Sequence, residues 1–268
     1  VNSSSDARPS PGSTDHSPRF APVRTEPAYR RVALAISERI VGRTLQDGEP
    51  LPTETELAAQ LGVNRSTLRE ALRELESNGL LERRKGSKRM VVTRPATEAV
   101  ARGVSRALAL QDVTVAEICE ALVVLMPPLA AAAAERRSAA QLATVQWAAA
   151  RFATVASGTL PGPAESRTAL AVEAVGQFFR ALAAAAENRA LALMHEPLVQ
   201  LLQSSLVLMI DHSPNARERI SAAQQKLCEA LETGNAVLAS EWMGKHVRDF
   251  RRGFELAGID LAVRVTPA

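Results

Sequence analysis

Arg65, Arg69 and Arg73 recur every four residues in a stretch that also carries Leu68, Leu72 and Leu75. On a helix, that spacing puts the guanidiniums on one face and the leucines on another. A guanidinium can fork onto the acceptor edge of guanine in the major groove, or onto a phosphate. A second group of polar residues sits far downstream. Gln224 stands among Ile220, Leu227 and Leu231, and His246 lies in the row Ala239, Trp242, His246, Phe250. A polar group inside an apolar stripe either finds a partner in a packed core or faces a ligand. Chemistry of the catalytic kind is not in view. No Gly-rich phosphate loop, metal cluster or Gly-x-Ser-x-Gly nucleophile motif occurs, so no catalytic residue and no cofactor is implied.

The arginine row needs elements that present it. Leu51-Pro52-Thr53-Glu54-Thr55-Glu56-Leu57-Ala58 reads as the start of one short helix, with Leu57 and Leu61 on one face. Gly62-Val63-Asn64 makes a tight turn into a second helix, with Asn64 as its N-cap. Gly79 is placed to stop that second helix. Two short strands then follow, at 80–84 and 90–93, with Lys85-Gly86-Ser87-Lys88 between them. From Arg83 to Arg94 there are six basic residues and no acidic one. A basic hairpin beside a helix-turn-helix is a wing, suited to gripping phosphates or reaching into the minor groove.

At 268 residues the chain can hold one or two domains with real cores. It is 46% apolar but only 3% aromatic, with abundant Ala, which favours helix over strand. The net charge of +3 is mildly basic. Cys119 and Cys228, the two cysteines, lie in mostly apolar helical surroundings and read as buried free thiols of a reducing cytosol. Residues 1–26 are rich in Ser, Pro, Asp and Arg, lack the apolar core of a signal peptide, and read as a disordered tail. The longest apolar runs, such as 121–134, contain Pro127 and Pro128 and fall short of a membrane span, so no membrane partner is expected.

From Thr97 onward nothing resembles a strand. Helical segments are predicted near 97–110, 113–135, 138–156, 165–187, 189–211, 215–233 and 235–257. The fold class is therefore mainly α: an N-terminal winged helix-turn-helix with a small hairpin, then an all-α bundle. The predicted domains are 27–95 and 96–258, with a tail at 259–268.

Residues 27–95 resemble the winged helix-turn-helix of the GntR family of bacterial transcription regulators. The Asp47-Gly48 turn, Leu51-Pro52-x-Glu54-x-Glu56-Leu57-Ala58, Val63-Asn64-Arg65 and Leu68-Arg69-Glu70-Ala71-Leu72 carry the resemblance. Asn64 stands where the family usually has Ser, and Lys88 where its wing often has a second Gly. Thr55 replaces an arginine used in DNA contact by the best-known member of the fatty-acid-responsive FadR branch. The resemblance and the basic faces together mark Thr55, Arg65, Ser66, Thr67, Arg69, Lys85, Gly86 and Lys88 as DNA-contacting candidates.

Residues 110–257 more weakly resemble the FCD effector domain of the FadR subfamily. Phe178, Asn188, the stretch 229–235, Ala239 and His246 carry that likeness. Many FCD domains hold a divalent metal through Asp and three His. The corresponding positions here are Val175, Phe179, Gln224 and His246, and no metal site is expected. Leu122 and Met126 fall where the family often has Arg and Glu. Leu122, Met126, Val175, Phe179, Gln224 and His246 are thus the effector-site candidates, an apolar pocket with two hydrogen-bonding groups. The resemblance implies a homodimeric cytoplasmic regulator of a two-fold double-stranded DNA operator. A repressor released by a lipophilic effector, a fatty acid or acyl-CoA, is the leading expectation. The alternatives are a small polar effector, or a filled core in which Gln224 and His246 satisfy each other.

Overall fold

The computed structural model describes residues 26–84, 86, 89–158, 163–213 and 215–266. The chain forms two compact units that divide between Arg94 and Pro95. Lys85 and Lys88 of the expected wing, and residues 1–25 of the expected N-terminal tail, lie outside the described residues.

The first unit contains α1 (Ala28–Val41), α2 (Glu54–Leu61), α3 (Arg65–Ser77), β1 (Leu81–Arg83) and β2 (Met90–Val92). Thr53 and Glu56 form a capping box at the start of α2. The Thr53 hydroxyl accepts the Glu56 N–H, and the Glu56 carboxylate accepts the Thr53 N–H at 2.9 Å. Asn64 caps α3 by accepting the Thr67 N–H at 2.8 Å. Gly79 sits at φ 70° directly after α3, a left-handed conformation that glycine adopts without a Cβ penalty. The hairpin is antiparallel, with Leu81 opposite Val92 and Arg83 opposite Met90. The chain after the Asp47-Gly48 turn pairs with the other edge of β2. Gly48 and Leu51 donate to Val92 and Met90, at 2.9 and 2.8 Å. Val32, Ile36, Leu57, Leu68, Leu72, Leu75, Leu81 and Met90 pack into one small core.

The second unit is entirely helical among the described residues apart from one isolated bridge. Its helices are α4 (Thr97–Leu110), α5 (Val115–Arg136), α6 (Ala139–Ala156), α7 (Ala164–Ala185), α8 (Arg189–His212), α9 (Ala216–Glu232) and α10 (Ala236–Leu256). Capping boxes at Thr114/Glu117 and Ser138/Gln141 start α5 and α6. Asn188 and Asn235 cap α8 and α10. Each of these caps satisfies N–H groups that the first turn of a helix leaves without a partner.

Two expectations need correction. Residues 259–266 are not a tail, because they fold back on the start of α5. Val115 and Ala116 donate to the carbonyls of Val263 and Leu261 at 3.0 Å, and Val265 donates to Val113 at 2.8 Å. These bonds satisfy first-turn N–H groups of α5, and Val265 is buried in the core. The expectation that the apolar runs are too short to span a membrane also fails. α5 continues through Pro127 and Pro128, and α5, α7 and α8 are each long and apolar enough to cross one by length and composition. In this fold they turn apolar faces toward one another, through Ile118, Met126, Phe179, Leu182, Leu202 and Leu206.

Candidate DNA-binding surface and buried core

α3 sorts its side chains as the spacing requires. Leu68, Ala71, Leu72 and Leu75 are buried, whereas Arg65, Ser66, Arg69 and Arg73 are exposed. Thr67 is half-buried, and its N–H is taken up by the Asn64 cap. Thr55 and Gly86 are exposed.

One residue on this surface was missed by the sequence reading. Glu54 opens α2, and its carboxylate accepts a hydrogen bond from Arg69 Nε at 2.7 Å. Its other oxygen lies 3.6 Å from Arg83 on β1. The Arg69 hydrogen bond, followed by the charges of Arg69 and Arg83, holds the Glu54 carboxyl below the usual carboxylate range. Glu54 thus ties α2, α3 and the wing strand together at their exposed edge. It also engages one of the two arginines expected to read bases, whereas Arg65 and Arg73 have no ion-pair partner among the described residues. Arg69 therefore has a positioning partner, whereas Arg65 is exposed with no ion-pair partner among the described residues.

The six effector candidates come from α5, α7, α9 and α10, and all are buried. Leu122, Met126, Val175 and Phe179 belong to the main core. The His246 ring stacks on Phe179, with centroids 5.7 Å apart and an interplanar angle of 23°, and it touches Phe250 at 4.7 Å. Burial depresses the His246 pKa to about 4, against a weaker opposing pull from Asp249, so the imidazole is neutral near pH 7. Gln224 is 0% exposed, yet among the described residues neither its Oε1 nor its Nε2 has a hydrogen-bond partner, and His246 Nε2 likewise has none. The idea that Gln224 and His246 satisfy each other is therefore corrected: no hydrogen bond joins them. A cavity of about 10 Å³ lies beside His246 and is lined also by Ile220, Arg219 and Phe250. That is room for roughly one water molecule. Among the described residues, no cluster of three or more His, Cys, Asp and Glu side chains gathers.

Residues 28–91 match the gntR family of bacterial regulatory proteins, and residues 117–249 match the FCD domain. The chain joins a GntR-type DNA-binding domain to an FCD domain. The FCD match lies within the second unit and spans the helices that carry all six buried candidates. A histidine utilization repressor of Klebsiella aerogenes is 45% identical over 69 residues, 26% of this chain and 27% of that protein. A repressor of mannosyl-D-glycerate transport and metabolism in Escherichia coli K12 is 44% identical over 62 residues, 23% of this chain and 26% of that protein. The matched segments thus span about a quarter of these curated relatives. The fold of a Streptococcus agalactiae GntR protein is similar over 84% of this chain and 99% of that one, with a TM-score of 0.56 at 24% identity. The matched families and relatives are transcription regulators, not enzymes.

Proposed function

We propose that this protein is a dimeric, ligand-responsive transcription repressor of the FadR branch, acting in the cytoplasm on a two-fold operator. α3 enters the major groove with Arg65 toward base edges. Arg69, Ser66, Thr67, Thr55 and Gly86 are the further DNA-contact candidates, and Lys85 and Lys88 are assigned phosphate or groove contacts from the sequence alone. Similarity to named repressors over the matched segments supports repression as the mode of action.

The effector in this reading has a largely apolar body, such as a fatty acid or acyl-CoA. Its pocket is formed by Leu122, Met126, Val175 and Phe179, with Gln224 and His246 as the polar contacts. The observation that carries the reading is the set of unpartnered polar atoms on Gln224 and His246 in an otherwise apolar core. Each such atom carries a desolvation cost of about 1–3 kcal/mol that a ligand's hydrogen bond can offset. Each buried methylene of the ligand adds about 0.8 kcal/mol. The cavity of about 10 Å³ beside His246 is far too small for an acyl chain, so binding must select a more open arrangement of the bundle. An arrangement that differs in this way is what an effector needs in order to change operator affinity.

That same small cavity favours a second reading, a filled core that takes no effector at all. Thermal unfolding with long-chain fatty acids, acyl-CoAs and small polar acids separates the two. A rise in melting temperature with the long-chain compounds, lost in Gln224→Leu and His246→Leu, supports the pocket. Stabilisation by polar acids alone, or by none of these compounds, removes it.

A further inference from the structure

A second cavity of the helical unit lies away from the buried core. It is a cleft of about 480 Å³ between α4, α7 and α8. That volume is within the range of small-molecule sites, roughly 300–1,000 Å³. Arg102 and Arg106 line it from α4, one helical turn apart, and Arg180 lines it from α7. Glu196, Gln200 and Gln203 of α8 complete the facing wall, and Glu98 of α4 stands at the same cleft.

The wall is built rather than merely solvated. The Glu196 carboxylate is only 3% exposed, and it accepts hydrogen bonds from Arg180 Nη1 at 3.3 Å and from Gln200 Nε2 at 3.2 Å. The buried Glu196 thus holds one nitrogen of the half-exposed Arg180 guanidinium and leaves its other N–H groups without a partner among the described residues. Gly176 makes the arrangement possible. A Cβ there would overlap Gln203 Nε2 and come within 3.3 Å of Arg180 Nη1. Gln203 uses the space to donate to the Val172 carbonyl at 3.1 Å. α4 is held to the same wall by Ser105, whose buried hydroxyl donates to the Pro197 carbonyl at 3.2 Å. His195 Nε2 is buried without a hydrogen bond and lies 3.8 Å from the Glu196 carboxylate.

Arg102 and Arg106 have no ion-pair partner among the described residues. Three guanidiniums on two helices therefore line one cleft whose buried carboxylate, Glu196, is already shared by Arg180 and Gln200. Against these three guanidiniums stand the carboxylates of Glu98 and Glu196, so the lining keeps a net positive charge that a bound anion can neutralise. The guanidinium fork matches the paired oxygens of a carboxylate or phosphate. We infer that this cleft binds a small anionic metabolite through its carboxylate or phosphate group, with Arg102, Arg106 and Arg180 as the anchors. The site is separate from the apolar core and does not depend on the reading of that core. It lies against α4, the helix that follows the DNA-binding unit in the chain.

The test uses the full chain, inorganic phosphate and succinate as separate probes, and chloride at matched ionic strength as the reference. Calorimetry and thermal unfolding read binding. The substitutions Arg102→Gln and Arg106→Gln fall on exposed helix positions and are expected to preserve the fold, which circular dichroism checks. Saturable binding of phosphate or succinate, weakened at least about tenfold in each variant, is the expected result, since a hydrogen bond to a charged group contributes about 1.5–3 kcal/mol. The stronger of the two probes then names the anion class. The proposal is overturned if neither anion binds beyond chloride, or if both variants bind as the natural protein does. It is also overturned if the variants change the oligomeric state, which would assign these arginines to a subunit contact. Stabilisation by long-chain compounds is measured in the same variants and is expected to be unchanged, so failure here is distinguishable from failure of the apolar pocket.

Discussion

Acidification should reveal how completely His246 is buried. Its side chain is 1% exposed, and its pKa falls from an ordinary 6.5 to about 4. In the unfolded chain the imidazole takes up a proton as the pH drops through 6.5. In the folded protein it stays neutral until about pH 4. Between those limits the unfolded state binds more protons, so stability falls as the pH falls. The contribution is fully present above pH 6.5 and is lost progressively toward pH 4. Each pH unit between the two values is worth about 1.4 kcal/mol, so the loss reaches about 3 kcal/mol. A domain of this size should then lose about 6–12 °C of melting temperature from this residue alone. Other groups titrate in the same window, so the comparison must be with His246→Phe. Near pH 7 that substitution is expected to be close to neutral. The imidazole there is uncharged, its Nε2 has no hydrogen bond to lose, and the cavity of about 10 Å³ beside it takes up part of the larger ring. Both tryptophans, Trp147 and Trp242, lie in the helical unit, so urea unfolding followed by tryptophan fluorescence reports that unit. Measured from pH 7 to pH 4.5, the natural protein should lose clearly more stability than the variant. Parallel curves for the two proteins would refute the burial argument.

The DNA-binding surface yields unequal expectations for its arginines. Arg65→Ala should cost about 1–3 kcal/mol of specific operator affinity with helicity unchanged, because a bidentate base contact is lost. Arg69→Ala should cost operator affinity and also shift the unfolding midpoint of the first unit, because it leaves Glu54 without its 2.7 Å partner; equal, purely DNA-side effects in titrations of both variants would rule this out. Glu54→Gln should raise affinity for random DNA and steepen its salt dependence, since it releases positive charge from Arg69 and Arg83; an unchanged salt slope counts against the tether. Cys119, pushed up to about 11 by burial, should react with a thiol reagent at pH 8 only after denaturant is added, whereas Cys228, expected to be buried but in fact half-buried beside an open surface pocket, should label in the native protein; rapid native labelling of Cys119 would contradict its burial.

What could be read from the sequence was whatever depends on near neighbours. The helix limits, the Asn64 cap, the Gly79 stop and the division of α3 into leucine and arginine faces all follow from residues within a few positions of one another. The periods of helix and strand are local properties, so seven helices in the second unit and a hairpin in the first were legible. The inward aim of Leu122, Met126, Val175, Phe179, Gln224 and His246 was legible for the same reason. Tertiary structure decided which partners those faces meet. The Glu54–Arg69 pair joins residues 15 apart in the chain. The packing of Val265 on the start of α5, and the meeting of Arg102 and Arg106 with Arg180 and Glu196, span far longer separations. Gln224 and His246 looked from sequence like a pair able to satisfy each other, and the packing of α9 and α10 left the Gln224 amide and His246 Nε2 without hydrogen bonds among the described residues. Side-chain periodicity tells a residue's direction from its own helix, but the distance to a group on another helix is set only when the whole bundle closes around its core.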